Sequence, residues 1–295
     1  MSNVESKLVT YYNASGVPLE KAAELPYTTV NLAFLYTSYD APLTLKLGGA
    51  IAARDTPPVL TETTKNAVSK IQNAGKKVLI SFGGGDMGYE AYAQLVGKEK
   101  ELGTAIASFI KDNNLNGIDI DYEDTAGFNG TAGYNGAQFL IDLTKALREE
   151  LPNSDYIITH APQPPYFEPE KYGYTTGAYA KIMEEVGNLI DWLNVQFYNN
   201  PPWSGNPPQI VSSYEQFSKL PGITAEKLLI GLPVTKNDAS PESYIPINTI
   251  ITEIIEPIQN NGTLGGMMNW QFSSDVGGDW AKRIGSALSL VPQNA

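Results

Sequence analysis

Eight short runs rich in β-branched and aromatic residues recur along this chain, and a helix-like pattern follows each one. The runs are Leu8–Tyr12, Thr29–Tyr36, Lys77–Gly83, Gly117–Glu123, Tyr156–Pro162, Trp192–Tyr198, Leu228–Thr235 and Gly265–Phe272. The helical patterns are Pro18–Leu25, Leu60–Ala74, Tyr89–Asn113, Gly133–Leu151, Thr176–Val186, Val211–Leu220, Pro246–Asn261 and Asp279–Leu290. Parallel strands need a crossover between them, and helices supply it while covering the sheet. Eight such units in 295 residues match the size of a closed barrel of about 250 residues. An open doubly wound sheet is the alternative. It would carry a GxGxxG turn after the first strand, whereas Gly83-Gly84-Gly85 leads into Asp86-Met87-Gly88. The sequence therefore predicts an α/β fold, a (β/α)8 TIM barrel. It is read as one domain, 1–295, without a large insertion.

Composition narrows the chemistry. The formal net charge is −12, which argues against nucleic acid as a partner and makes a neutral substrate the simple reading. No apolar run is long enough to cross a membrane, so no membrane partner is expected. There is no cysteine and a single histidine, His160, so thiolate metal sites, disulfides and multi-histidine zinc sites are excluded. The opening residues run from a short polar stretch into a strand pattern and show no secretory leader. No heptad pattern points beyond a monomer.

The densest chemical signal is Asn116-Gly-Ile-Asp-Ile-Asp-Tyr-Glu123. In a strand, Asp119, Asp121 and Glu123 share one face and Ile118, Ile120 and Tyr122 the other. Carboxyls crowded on one face repel one another, which raises their pKa and lets a carboxylic acid donate a proton near neutrality. Barrel chemistry sits at the carboxyl ends of strands, so Glu123, the last of the three, reads as the general acid. Both Asp121 and Glu123 approach a substrate from one side. A retaining glycosidase with a protein nucleophile needs carboxylates on opposite sides of the sugar. Either a distant acid attacks, or the substrate supplies its own nucleophile, as an N-acetyl group at the sugar 2-position does. Three carboxylates in a line do not converge as metal ligands do, so no metal and no cofactor is expected.

The octet resembles the DGxDxDxE signature of glycoside hydrolase family 18, with Asn116 in place of the first Asp. Ser81-Phe82-Gly83-Gly84 resembles the family's SxGG segment. Ala161-Pro162-Gln163, Val195-Gln196-Phe197-Tyr198-Asn199-Asn200-Pro201 and Gly266-Met267-Met268-Asn269-Trp270 resemble segments of its plant class III, hevamine-type branch. The resemblance implies a retaining, endo-acting hydrolysis of β-1,4-linked chitin or chitooligosaccharides. Glu123 would be the acid/base, Asp121 the group that steadies the acetamido nucleophile, and Asp119 a buried hydrogen-bonding partner of Asp121. Two alternatives share the barrel: an endo-β-N-acetylglucosaminidase acting on N-glycans, and a non-catalytic chitin-binding lectin. The lectin reading is weakened by the intact acids. Action on an external polymer would place the protein outside the cell.

Parity extends the expected site. On the sixth strand Trp192, Asn194, Gln196 and Tyr198 share the polar, interior face, so Tyr198 is expected to hold the acetamido oxygen, with Gln196 one step deeper. The resemblance implies that Trp270 lies under the sugar and that Tyr11, Phe34, Gly84, Ala161 and Asn199 contact substrate; Gln163 is placed to reach the sugar at the cleavage point, and Trp203, Tyr166 and Phe167, aromatic residues on top-face loops, are candidates for outer sugar subsites. His160 has the opposite parity to Ala161 and reads as structural. Asn269 is a polar residue opposite Trp270 with no evident partner, and a strained or cis peptide near Trp270 is expected to disturb the parity there.

Overall fold

The computed structural model describes residues 6–168 and 177–290. Thr176, the first residue of the predicted sixth helix, and both ends of the 1–295 span lie outside the described residues. All eight predicted runs form strands. β1 (Lys7–Tyr12) and β2 (Thr29–Ser38) come first, followed by a hairpin region with β3 (Ala41–Leu47), β4 (Ala52–Arg54) and β5 (Val59–Leu60). Then come β6 (Lys77–Gly83), β7 (Gly117–Asp121), β8 (Ile157–His160), β9 (Trp192–Gln196), β10 (Leu228–Pro233) and β11 (Gly266–Trp270). The order β1-β11-β10-β9-β8-β7-β6-β2 closes on itself because β1 also pairs with β2, and every pairing around that ring is parallel.

The hairpin after β2 was not among the predicted elements. β3 runs antiparallel to β2, pairing Leu35 with Leu47 and Tyr36 with Lys46, before a bulge. The signal was present: Leu43, Leu45 and Leu47 alternate with Thr44 and Lys46, a period of two.

The helices are α1 (Glu62–Asn73), α2 (Tyr89–Ala93), α3 (Glu99–Asp112), α4 (Thr125–Asn129), α5 (Gly136–Glu150), α6 (Ala178–Val186), α7 (Pro207–Phe217), α8 (Ile247–Ile250), α9 (Glu256–Asn261) and α10 (Asp279–Ala287). Their ends follow from local chemistry. Thr61 caps α1 by accepting from Thr64 N at 2.9 Å, and Asn135 caps α5 by accepting from Gln138 N at 3.1 Å. The single helix predicted over 89–113 is two, because Gly97 takes a φ of +79° between α2 and α3. The pattern at 18–25 forms only a 3-10 turn, Leu19–Glu24.

Parity sorts the core into two layers. Ile118, Ile120, Leu193, Val195 and Phe197 pack outward against the helices, while Val9, Tyr11, Ala33, Leu79, Ala161, Trp192, Leu229 and Met268 pack inside the ring. Asn269 joins a buried chain on the outer face. Thr10 Oγ1 donates to its Oδ1 at 2.5 Å, its Nδ2 donates to the Tyr27 hydroxyl at 2.8 Å, and that hydroxyl donates to Asp275 Oδ2 at 2.9 Å. Asp275 in turn accepts from the N–H groups of Trp280 and Ala281 at the start of α10. The expected cis peptide is found between Trp270 and Gln271.

Candidate active site

β7 carries the acids from the barrel interior to its rim. Asp119 lies at the bottom, fully buried, and accepts four hydrogen bonds. Tyr11 Oη and Ser81 Oγ donate to its Oδ2, both at 2.7 Å. Thr159 Oγ1 and Asn194 Nδ2 donate to its Oδ1, at 2.6 and 3.0 Å. The donors come from β1, β6, β8 and β9, so one carboxylate ties four strands together across the interior. Burial pushes the Asp119 carboxyl up, and these donors pull it back. This corrects the expected pairing with Asp121, because both Asp119 oxygens are taken by other strands.

Asp121 turns the other way, toward the rim. Its Oδ1 accepts from Gln196 Nε2 at 2.8 Å, and its carboxyl hydrogen-bonds Glu123. Burial first, then repulsion by Glu123 and Asp119, holds Asp121 well above the usual carboxylate range. Burial also raises Glu123, against hydrogen bonds from Gln196, Asp121 and Gln163, while the charge of Asp86 raises it further. Gln163 Nε2 lies 3.4 Å from Glu123 Oε2. Asp121 and Glu123 therefore titrate as one hydrogen-bonded pair, both raised, rather than as two independent carboxyls. Gln196 also donates to the Ala161 carbonyl at 2.9 Å, which fixes its amide and leaves no choice of flip.

Above the pair opens a cleft of about 520 Å³. Asp121, Glu123, Gln196, Tyr198, Asn199, Phe34 and Trp270 all line it, so the structure brings these expected residues together. The Phe34 and Trp270 rings stack at 6.0 Å and 22°, forming an apolar wall suited to a sugar face. Tyr198 is buried, and burial with nearby carboxylates keeps its phenol neutral and able to donate. Asn199 Oδ1 accepts from Ser240 N at 2.7 Å, which braces the rim loop. Gly83 takes a φ of +112°, where a Cβ would overlap the Asp121 carbonyl. Gly85 passes close to Glu123, so the glycine segment lets β6 lie against the acids.

Other expectations are corrected. Trp203 is fully buried and donates Nε1 to Ser213 Oγ at 2.8 Å, so it packs its loop onto α7 rather than forming a subsite. Tyr166 and Phe167 are buried too, against Phe128, Tyr179 and Phe217. Tyr11, Ala161 and Gly84 lie beneath the cleft lining: Tyr11 serves Asp119, the Ala161 carbonyl holds Gln196, and Gly84 makes room for the Phe34 ring. Tyr36, Asp86, Met87, Asp238, Asn13 and Gly48-Gly49 line the cleft and were not foreseen. Asp86 had a signal, since it directly follows the glycine run. Asp238 had none. His160 is structural as expected. Thr144 spends its proton on the Leu140 carbonyl, so it accepts from His160 Nε2, and Nδ1 accepts from the Tyr179 hydroxyl at 3.1 Å. Burial pushes His160 down to about 3, so the ring is neutral.

Comparison with known proteins decides the family. The model of the glycosyl hydrolases family 18 matches residues 7–248. The chain belongs to that family. Among curated relatives, an acidic endochitinase from Cucumis sativus is 30% identical over 261 residues, covering 85% of this chain and 80% of that protein. Acidic endochitinase SE2 from Beta vulgaris is 27% identical over 267 residues, with the same coverage of 85% and 80%. A crystal structure of a GH18 chitinase from Pseudoalteromonas aurantia is 57% identical, has a TM-score of 0.92, and is covered over 96% of this chain and 100% of that one. The protein is a glycoside hydrolase built on the (β/α)8 barrel.

In this family 18 hydrolase the backbone around Glu123 is clamped from behind. The Tyr122 hydroxyl lies 2.5 Å from that of Tyr134, which donates to Asp124 Oδ2 at 2.6 Å. A Cβ on Gly127 or Gly136 would overlap the Tyr122 hydroxyl, so two glycines make room for the pair. Tyr134 thus grips both chain neighbours of Glu123. Tyr134→Phe strands one partner on each side and should lower stability by about 1–2 kcal/mol. It should cut kcat roughly fivefold with KM within about twofold, because aim rather than binding is lost. Steady-state kinetics beside thermal melts check this; an unchanged kcat sinks it.

Proposed function

We propose that this protein hydrolyses the β-1,4 bonds of chitin and chitooligosaccharides, cutting within the chain and retaining anomeric configuration by substrate assistance. The observation that carries the mechanism is the one-sided site. Asp121 and Glu123 leave the same strand end, and Asp86 follows Gly85 on the loop that runs against Glu123. Asp238, the other lining acid, already accepts from Thr235 N, Thr235 Oγ1 and Ser274 Oγ, so it is not poised to attack an anomeric carbon. The nucleophile is then the substrate's own acetamido oxygen. The chitinase names of the relatives support the substrate class.

Glu123 donates its proton to the glycosidic oxygen as that C–O bond breaks. The acetamido carbonyl oxygen bonds to the anomeric carbon and forms an oxazolinium ring. Asp121 accepts the acetamido N–H and balances the positive charge, while Tyr198 donates to the carbonyl oxygen. Glu123, now a carboxylate, takes a proton from the water that opens the ring. The acetamido oxygen closes from the face opposite the leaving group and water enters on the face it vacated, where Glu123 acts in both steps, so two inversions retain the configuration.

The decisive experiment is hydrolysis of chitotetraose with the fresh product's anomer read by NMR. β-Anomer should appear first. α-Anomer would overturn retention. No cleavage with measurable binding would favour the lectin reading, and neither cleavage nor binding would point to N-glycans. Activity should also fall as pH rises through the raised Glu123 pKa, because the acid form is then lost. A pH–rate profile flat through neutrality and into the alkaline range would remove Glu123 from that role.

A further inference from the structure

The loop that follows β10, residues 234–240, is closed on itself by one carboxylate. Asp238 Oδ2 accepts from Thr235 N at 2.7 Å and from Thr235 Oγ1 at 2.6 Å, and Asp238 N donates back to the Thr235 carbonyl at 3.2 Å. Closing such a turn occupies one carboxylate oxygen. The other oxygen reaches a different loop. Ser274 Oγ donates to Asp238 Oδ1 at 2.5 Å, and Ser274 ends the 3-10 turn Phe272–Ser274, which starts two residues after Trp270. Lys236, the one cation of the 234–240 loop, lies over the Tyr244 ring at 5.9 Å, so Asp238 is held by hydrogen-bond donors.

The two loops joined in this way flank the aromatic wall of the cleft. Trp270 and Ala239, the residue after Asp238, both pack on the apolar cluster inside the ring. Beneath them Val234 N donates to the Trp270 carbonyl at 2.9 Å, which fixes the Trp270 main chain and leaves the tilt of its indole to what stands around it. Among the described residues the Asp238–Ser274 contact is the one side-chain hydrogen bond between 234–240 and 271–275. On its other side the β10 loop is stitched to the β9 rim. Ser240 N donates to Asn199 Oδ1 at 2.7 Å, and Asn199 N donates to Ser243 Oγ at 2.9 Å. Three rim loops are thus linked in series, and Asp238 is the link that reaches the Trp270 segment.

We propose, on the reading of Trp270 as the sugar platform, that Asp238 is its positioning residue, clamping the loop after β10 to the segment after Trp270 so that the indole keeps the tilt a sugar face needs. An indole that rocks offers its face to the sugar only part of the time. Stacking made equally in the bound and the reacting states appears in KM rather than in kcat. In this role Asp238 acts through Ser274 rather than on the sugar.

The test compares Asp238→Ala, Ser274→Ala, the double variant and Asp238→Asn in the full chain. Ser274→Ala breaks only the bond between loops and leaves the Thr235 turn closed. Each single Ala variant should raise KM for chitotetraose roughly tenfold with kcat within about threefold. The double variant should be no worse than Asp238→Ala, because the two groups form one contact. Asp238→Asn should recover most of the loss, since its amide oxygen serves Thr235 and its amide nitrogen donates to the Ser274 hydroxyl. Trp270 is the one tryptophan of four that is not buried, so quenching of tryptophan emission by acrylamide reads it in the ligand-free protein. The quenching constant should rise about twofold in both Ala variants, as the indole is freed, and stay at the parent's value in Asp238→Asn. A KM loss in Asp238→Ala with Ser274→Ala silent overturns the proposal, because the carboxylate then meets the sugar itself or serves only its own loop. A lower melting temperature with KM and quenching unchanged overturns it as well, because the contact then only holds the fold together. Failure of the parent on chitotetraose strikes the chitinase reading, while the quenching comparison still tests the clamp.

Discussion

Glu123→Gln should lower turnover by about three orders of magnitude while the protein folds as before and melts slightly higher at pH 7. The substitution keeps volume and leaves an amide oxygen to accept from Gln163 Nε2, so the cleft retains its shape. What it removes is the proton that leaves with the glycosidic oxygen. The stability effect follows from linkage. Burial raises Glu123 in the folded state, and burial with Glu123's own charge raises Asp121 further. A carboxyl whose folded pKa is raised stabilises the fold most fully below its unfolded pKa of about 4.3, and that stability is lost as pH rises through the folded value. At pH 7 the pair is therefore a net burden, and removing one ionisable member relieves it. A rise in melting temperature of about 2 °C corresponds to roughly 1 kcal/mol in a chain of this size. Chitotetraose kinetics and melts at pH 5 and pH 7 check both halves. Turnover within tenfold of the parent would remove the acid assignment, and a lower melting temperature at pH 7 would contradict the electrostatic account.

Parity made the interior of this site legible and left its rim dark. A strand offers two directions, so Asp119 and Asp121 of β7 had to share a side, with Glu123 two residues on, and the same rule placed Gln196 on β9, Tyr198 two residues past its end, and Trp270 on β11. Loops carry no such rule. Trp203, Tyr166 and Phe167 follow strand ends just as Asn199 does, yet their segments fold back and bury the rings among the helices. The Trp203 N–H finds its partner on α7, a long-range fact no local pattern contains. Asp238 and Tyr36 reach the cleft for the converse reason. Asp238 sits on a loop that turns inward, Tyr36 on β2 two residues after Phe34, and only the closed ring of strands brings β2 and β10 to one opening. The Asn269 puzzle has the same origin. Its partners, Thr10 and Tyr27, lie more than 200 residues away in sequence and become neighbours when β1 pairs with β11.

Asp119 is where fold and chemistry meet, and its replacement should show it. Asp119→Ala removes the acceptor on which Tyr11, Ser81, Thr159 and Asn194 converge. Four buried donors then face a cavity, and each stranded group costs about 1–3 kcal/mol before relaxation. Hydroxyls rotate and find other acceptors more readily than an amide does, so the net loss expected is roughly 4 kcal/mol by urea unfolding. Asp119→Asn separates charge from hydrogen bonding. An amide nitrogen at the Oδ2 position donates to the Tyr11 and Ser81 hydroxyls, which accept by turning. The amide oxygen keeps Thr159 and Asn194. The Asn variant should therefore recover more than half of the lost stability. It also removes one of the charges that raises Asp121, so Asp121 should ionise at lower pH. The acid limb of the pH–rate profile should shift with it, which a purely mechanical role for Asp119 does not produce. Equal destabilisation by Ala and Asn would mean that the charge itself, rather than its four donors, holds the interior together.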